Sequence, residues 1–269
     1  MQFFLGTHKP NWLWKDHIPI QLFPLFVSHM TLRRIKTLHP ARGPWALDSG
    51  GFTQISTFGT WTFSPWEYVC AVRRYMSGIG KLQFAAIMDW MCEPIILEKT
   101  GKTIRQHQEL TLESYLTLTD LAPEVPWLPT LQGFSLADYF AHKQMYERAG
   151  VNLVSAAHVG IGSVCRRQST KEIGDVLRAL YNAGLRNIHG FGVKTSGLKL
   201  THRYLKTSDS MAWSYNARKH PPLPEHEGKH NNCANCWEWA LRYKQNLLRK
   251  LGVMQCQIKT PTQGHLLFC

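Results

Sequence analysis

Acidic residues are scarce: 18 Asp and Glu stand against 31 Lys and Arg, a formal net charge of +13 in 269 residues. That imbalance argues for a polyanionic partner, nucleic acid first and an anionic membrane second. Long apolar runs are missing, and none approaches the roughly 18 to 20 residues of a spanning helix. The N-terminus, Met1-Gln2-Phe3-Phe4-Leu5-Gly6, lacks a basic region followed by a long apolar core, so it reads as a first strand and not a signal peptide. A cytoplasmic protein is expected. Cysteines number seven, an odd count, and most are scattered through apolar runs. This excludes a disulfide framework and suits reduced thiols plus one metal site. Low-complexity tracts are absent too. With 44% hydrophobic residues the chain is folded, and its length suits one large domain.

What is present is an alternation of short apolar runs and longer amphipathic stretches. Strands are predicted at Gln2–Gly6, Trp45–Asp48, Leu82–Asp89, Trp127–Gln132, Asn152–Val159, Asn187–Gly192 and Tyr204–Asp209. Helices are predicted at Pro65–Met76, Thr103–Leu121, Ser135–Ala149 and Thr170–Ala183. The first opens with Ser64 as N-cap and Pro65 at the first helical position; the last ends at Gly184. A βαβα order implies a parallel sheet, and seven strands in one domain of this size favour an α/β fold of the (β/α)8 TIM-barrel type. The eighth strand is expected near Val253–Ile258. Barrel enzymes carry their chemistry at the C-terminal strand ends. Polar residues fall there repeatedly: Asp48, Asp89, Gln132, His158 with Gly160, His189 with Gly190, and Asp209. Any single one reads equally well as a helix cap; six in sequence order do not.

At these residues the chain resembles the tRNA-guanine transglycosylase superfamily and its DNA-acting relatives, which insert deazaguanine bases into DNA. The similarity runs from about Trp45 to Cys236. Asp48-Ser49-Gly50-Gly51-Phe52 resembles the superfamily motif whose Asp acts in acid/base catalysis. Met88-Asp89 and Leu131-Gln132-Gly133 are similar to its base-reading strand ends. Val159-Gly160-Ile161-Gly162 is similar to its glycine loop against the base, and His189-Gly190-Phe191-Gly192-Val193 to its His-containing strand. Ser208-Asp209-Ser210 matches the position of its nucleophilic Asp. The resemblance implies a (β/α)8 barrel, Asp209 as nucleophile and Asp48 as general acid/base. It also implies base contacts from Asp89, Gln132, Gly160, Gly162, His189 and Gly190. A carboxylate that attacks C1′ and an acid that protonates the departing base are what cleavage of an N-glycosidic bond requires. Trp90, Trp213 and Phe191 stand beside these positions as candidates to sandwich a flipped base, or as core.

The departures bear on the substrate. The chain is much shorter than typical bacterial tRNA enzymes, and of their Cys-x-Cys-x2-Cys zinc motif only Cys233-Ala234-Asn235-Cys236 remains. Both points favour the compact DNA-acting branch, with DNA as partner, tRNA second and no membrane. Cys-x2-Cys beside histidines suits a structural, tetrahedral zinc. Cys233 and Cys236 are its firm ligands, His230 and His265 complete the set, and His226 and Cys256 are rivals. The alternative is a reduced Cys pair capping a helix over Trp237–Arg249. The chemistry itself needs no metal. The expected division is a catalytic barrel over residues 1–215 and a zinc-binding segment with its helix over residues 216–269. Arg166, Arg167 and Lys194 are candidates to hold backbone phosphates, as is the basic stretch Arg33, Arg34, Lys36 and Arg42. The motifs do not separate excision from exchange. The short chain has little material for a lid that excludes water, so a glycosylase acting on a modified base is expected, in a role suited to phage defence. A deazaguanine transglycosylase is the alternative, and a non-catalytic nucleic-acid-binding barrel is a third reading, opposed by the presence of both Asp48 and Asp209.

Overall fold

The computed structural model describes residues 1–164, 171–193 and 195–253. β1 (Gln2–Thr7) leads through two 3-10 turns to β2 (Leu25–Ser28) and the short helix α1 (His29–Leu32). There follow β3 (Trp45–Asp48), α2 (Gly51–Phe58), α3 (Pro65–Gly78), β4 (Leu82–Ala86), α4 (Pro94–Thr100) and α5 (Ile104–Leu121). Next come β5 (Trp127–Leu128), β6 (Thr130–Leu131), α6 (Leu136–Arg148), β7 (Val159–Ile161), α7 (Lys171–Asn182) and β8 (Ile188–Gly190). The described chain ends with α8 (Thr195–Thr201), β9 (Thr207–Ser210), α9 (Ala212–Ala217) and α10 (Trp237–Lys250).

All strand pairs are parallel, in the order β5-β4-β3-β2-β1-β9-β8-β7-β6. The two outer members, β5 and β6, are consecutive in the chain and separated by Pro129 alone. Proline has no N–H to give to a ladder, so one strand breaks into two halves there. Its carbonyl still accepts the Gly160 amide at 2.8 Å. The first half faces β4 and the second β7, and the sheet is thereby nearly closed into an eight-stave, TIM-like barrel.

Alternation along the strands sorts the apolar residues into two layers. Phe3, Leu5, Leu25, Val27, Trp45, Leu47, Leu131, Val159, Ile161 and Ile188 face the helices in one large core. Phe4, Phe26, Ala46, Phe84 and Leu128 face inward, with Phe191 packed on them, and plug the lumen. The edge-to-face and tilted ring pairs among Phe4, Phe26 and Phe84, 5.5 to 6.4 Å between centroids, are the geometry aromatic quadrupoles favour. Helix α10 joins the outer core through Ala240 and Leu247.

The helix starts follow the sequence. Ser64 with Glu67, Thr103 with Gln106 and Ser135 with Asp138 each form a capping box. Two strand assignments need correction. The eighth stave is β2, in the run Leu25-Phe26-Val27-Ser28. Of the stretch expected to hold it, Val253 is not in a strand and residues 254–258 lie outside the described residues. The run at 152–158 is a turn, because the Asn152 side-chain oxygen accepts the amides of Val154 and Ser155. The strand begins only at Val159. His158 therefore lies at the N-terminal end of β7, away from the strand tips, where it packs against Phe84. Among the described residues no helix is long and apolar enough to cross a membrane.

Candidate active site

Three carboxylates converge above the aromatic plug. Asp48 is the last residue of β3 and is partly exposed. Its neighbour in register is Ser28 of β2. The Ser28 side chain also hydrogen-bonds the Asp48 carboxyl, while its oxygen accepts the Met30 amide as the N-cap of α1. Burial pushes the Asp48 carboxyl up. The hydrogen bonds from Ser28 and the Gly50 amide pull it down, and the negative charge of Asp209 adds to the push upward. Gly50 holds φ at +83° at the start of α2, a conformation that suits glycine.

Asp209, third in β9 and beside Phe4 of β1, is 7% exposed. Its Oδ1 accepts the Gly192 amide at 2.8 Å, and His189 Nε2 lies 3.4 Å from the same oxygen. His189 is fully buried, its Nδ1 paired with the Thr207 hydroxyl at 2.9 Å. Its ring sits among Phe4, Phe26, Phe84 and Phe191. The side chain thus lies under Asp209, within the plug. Gly190 faces the other way, toward Val193 and Leu205, and its carbonyl accepts the Ser208 hydroxyl.

Asp89 follows β4 in a loop. Burial, foremost, and the charge of Asp48 push its carboxyl up to about 7, with Glu93 adding to the push. Hydrogen bonds from its own amide and from Gln132 oppose that. The Gln132 Nε2 donates to Asp89 Oδ2. Gln132 is itself fully buried, its amide donating to His142 Nδ1 at 2.8 Å and its carbonyl accepting Gln108 Nε2 at 2.8 Å. A Cβ on Gly51 would lie 3.1 Å from Asp89 Oδ1, so that glycine keeps the space beside this oxygen open. Gly160 and Gly162 make room for neighbours. A Cβ on the first would come within 2.6 Å of the Phe191 ring, and on the second within 2.2 Å of Gln132 Nε2.

Of the three aromatic candidates, Phe191 lines the plug beneath the carboxylates. Trp213 is core: it stacks on Trp12 at 5.6 Å, and its indole N–H donates to the Gly6 carbonyl at 2.8 Å. Trp90 packs with Ile55, Met91 and Ile96. Arg166, Arg167 and Lys194 lie outside the described residues. In the earlier basic stretch, Arg33 covers the Phe63 ring and Arg42 pairs with Asp16. Arg34 and Lys36 are exposed. Sequence reasoning missed Ser28 and Ser163, whose signals are a strand end before a helix and a polar residue just past a glycine strand.

The Cys-x2-Cys segment gathers a donor set. His226 Nδ1 lies 3.5 Å from Cys233 Sγ and 3.6 Å from Cys236 Sγ, and His230 Nε2 lies 3.2 Å from Cys233 Sγ. Tetrahedral zinc with bonds of about 2.3 Å to sulfur and about 2.0 Å to nitrogen separates S and N ligands by roughly 3.5 Å, the spacing of these contacts; His226, His230 and Cys233 form one close group, and His226, Cys236 and Glu238 a second beside it. The other nitrogen of His226 meets Glu238 Oε2 at 2.6 Å, the carboxylate contact that orients a metal-bound imidazole. His226 thus stands at the site. His265 and Cys256 lie outside the described residues.

The family model for DpdA, DeoxyPurine in DNA protein A, matches residues 1–262. No curated protein matches the sequence. The chain belongs to the DpdA family, a DNA-acting family similar to the tRNA-guanine transglycosylases.

Proposed function

We propose that this family member exchanges a purine base in DNA through a covalent sugar–Asp209 intermediate, with Asp48 as general acid and then base. The observation that carries the reading is the pairing of unlike carboxyls. Asp48 is raised by burial and by the charge of Asp209, which favours the proton-carrying form. Asp209 has one oxygen held by the Gly192 amide and 3.4 Å from His189 Nε2, which fixes the carboxylate in place. Two carboxyl groups whose surroundings set them to opposite tasks are the requirement for this chemistry.

In the first half-reaction a carboxylate oxygen of Asp209 bonds to C1′ as the C1′–N bond breaks. The electron pair leaves with the base, which takes the Asp48 proton. In the second, a replacement base gives its proton to Asp48 and attacks C1′, releasing the Asp209 carboxylate. Asp89 is the base-reading acceptor, with Gln132 behind it and Gly160 and Gly162 clearing the space. Arg166, Arg167 and Lys194 are proposed phosphate contacts. The barrel of residues 1–215 carries the chemistry. Residues 216–269 form a stabilising segment in which Cys233, Cys236, His230 and His226 hold zinc, with His265 a further ligand candidate. The ion would tie the chain ends of that segment together and take no part in the reaction.

The exchange reading is supported by the transglycosylase-type activity the family suggests and by the plug of Phe4, Phe26 and Phe84, which fills the lumen below the carboxylates. Excision uses the same residues and differs only in that water attacks C1′. The test is mass-spectrometric detection of released base. The protein is incubated with unmodified DNA, DNA carrying modified bases and bulk tRNA, with and without added deazaguanine bases. Release from DNA that requires an added base and leaves no alkali-labile sites supports exchange. Release without one, leaving abasic sites, replaces exchange by excision. If wild type and Asp209→Ala behave alike in every arm, the enzyme reading fails.

A further inference from the structure

Ser163 holds a backbone conformation that side chains other than glycine rarely adopt. Its φ is +56°, a left-handed value that only Lys81 shares among the described non-glycine residues, and Lys81 is exposed just before β4. Ser163 is 4% exposed. Its loop is pinned from α6, where the Tyr139 hydroxyl donates to the Gly162 carbonyl at 2.8 Å. The strained backbone aims the Ser163 hydroxyl into a chain of hydrogen bonds crossing three strand-end loops. The Cys92 amide donates to Ser163 Oγ at 2.7 Å, and Ser163 Oγ donates to Gln132 Oε1 at 2.6 Å. Gln132 Nε2 then donates to Asp89 Oδ2.

The direction of this chain has a physical cause. A backbone amide can only donate, so the Ser163 oxygen accepts at that side and its one hydrogen is left for Gln132. The group that receives it must be the amide oxygen. The amide nitrogen is thereby turned toward Asp89, where its N–H favours the ionised carboxylate. Reversing the Gln132 amide would set its oxygen against the Asp89 carboxylate, an arrangement stable only with a proton between them. Gln132 is fully buried and so acts through Asp89.

We infer that Ser163 is a positioning residue that locks the Gln132 amide in one orientation, so that Asp89 meets the incoming base as a hydrogen-bond acceptor. The inference rests on the reading of Asp89 as the group that faces the base. Without the lock the amide is free to reverse, and in the reversed state Asp89 carries a proton, so its preference for a base edge carrying donors is weakened.

The experiment measures binding of free guanine and free adenine by calorimetry at about pH 8. Guanine offers N–H donors to a carboxylate; adenine offers an acceptor nitrogen. Wild type is expected to prefer guanine. Ser163→Ala and Ser163→Gly should each lower that preference by roughly tenfold, the worth of one hydrogen bond to a charged group. Glycine accepts the left-handed backbone, so Ser163→Gly should melt above Ser163→Ala. Equal loss of preference with unequal melting separates the hydroxyl's role from structural support. If Ser163→Gly keeps the wild-type preference while Asp89→Asn loses it, the inference fails and the reading of Asp89 stands. If Asp89→Asn keeps the preference, or wild type has none, the reading of Asp89 fails and the inference with it.

Discussion

Asp48 and Asp209 come from strands on opposite sides of β1 and β2, yet the charge of Asp209 helps push the Asp48 carboxyl up. Replacing Asp48 by Asn keeps the shape and the Ser28 contact but removes the transferable proton. Base release by Asp48→Asn should therefore fall by about 10² to 10⁴ in kcat, with DNA affinity close to wild type in a filter-binding assay. Asp89 makes a different prediction. Its carboxyl titrates at about 7 in the fold against 3.8 for the free side chain. The folded state thus gains most below about pH 4, and that advantage is lost as pH rises to about 7. Asp89→Asn removes the cost of holding the charge. It should raise stability by up to roughly 4 kcal/mol at neutral pH, a gain that shrinks toward pH 4 in denaturant titrations, while base preference is lost. The carboxylates were legible in the sequence because acids are rare in it and these sit in apolar runs. Ser163 was missed: a serine past a glycine strand marks a polar strand end but not the backbone angle that aims it.

The elements divide by how local their causes are. Helices α3, α5 and α6 were legible because a capping box and an apolar stripe lie within each segment. Strand β2 was not, because four residues after Pro24 carry no period of their own and are strands only because β1 and β3 flank them. The turn at Asn152 misled in the opposite sense, since Val154 and Val159 look strand-like until the Asn152 side chain claims the local amides. In the segment before α10 the proposed zinc ligands are the thiols and imidazoles. Its apolar support is small, with Ala217, Leu223, Cys233 and Ala234 as the buried members of their cluster. Chelating zinc, or replacing Cys233 by Ser, should lower Tm by more than about 5 °C in a calorimetric scan. Activity per folded molecule should change little below that transition.

At the scale of the whole molecule, the surplus of 13 positive charges sets how the protein meets a polyanion. If Arg166, Arg167 and Lys194 each neutralise one phosphate, affinity should fall roughly 40-fold between about 50 and 200 mM salt. Alanine at both arginines should reduce the slope of log affinity against log salt by about 2, for any DNA sequence. The barrel itself was legible from the βα alternation. Its seam was not, because a strand split at Pro129 reads in sequence as one continuous run.

Phe4, Phe26, Phe84 and Leu128 fill the lumen and close the barrel behind the carboxylates. A replacement base cannot arrive from behind while the old one departs in front. On the proposed exchange the two use the same doorway in turn, and the enzyme waits in between with the DNA attached. Initial rates measured against both substrates should accordingly give parallel double-reciprocal lines, the signature of a ping-pong sequence. Intersecting lines would mean that both bases occupy the protein at once.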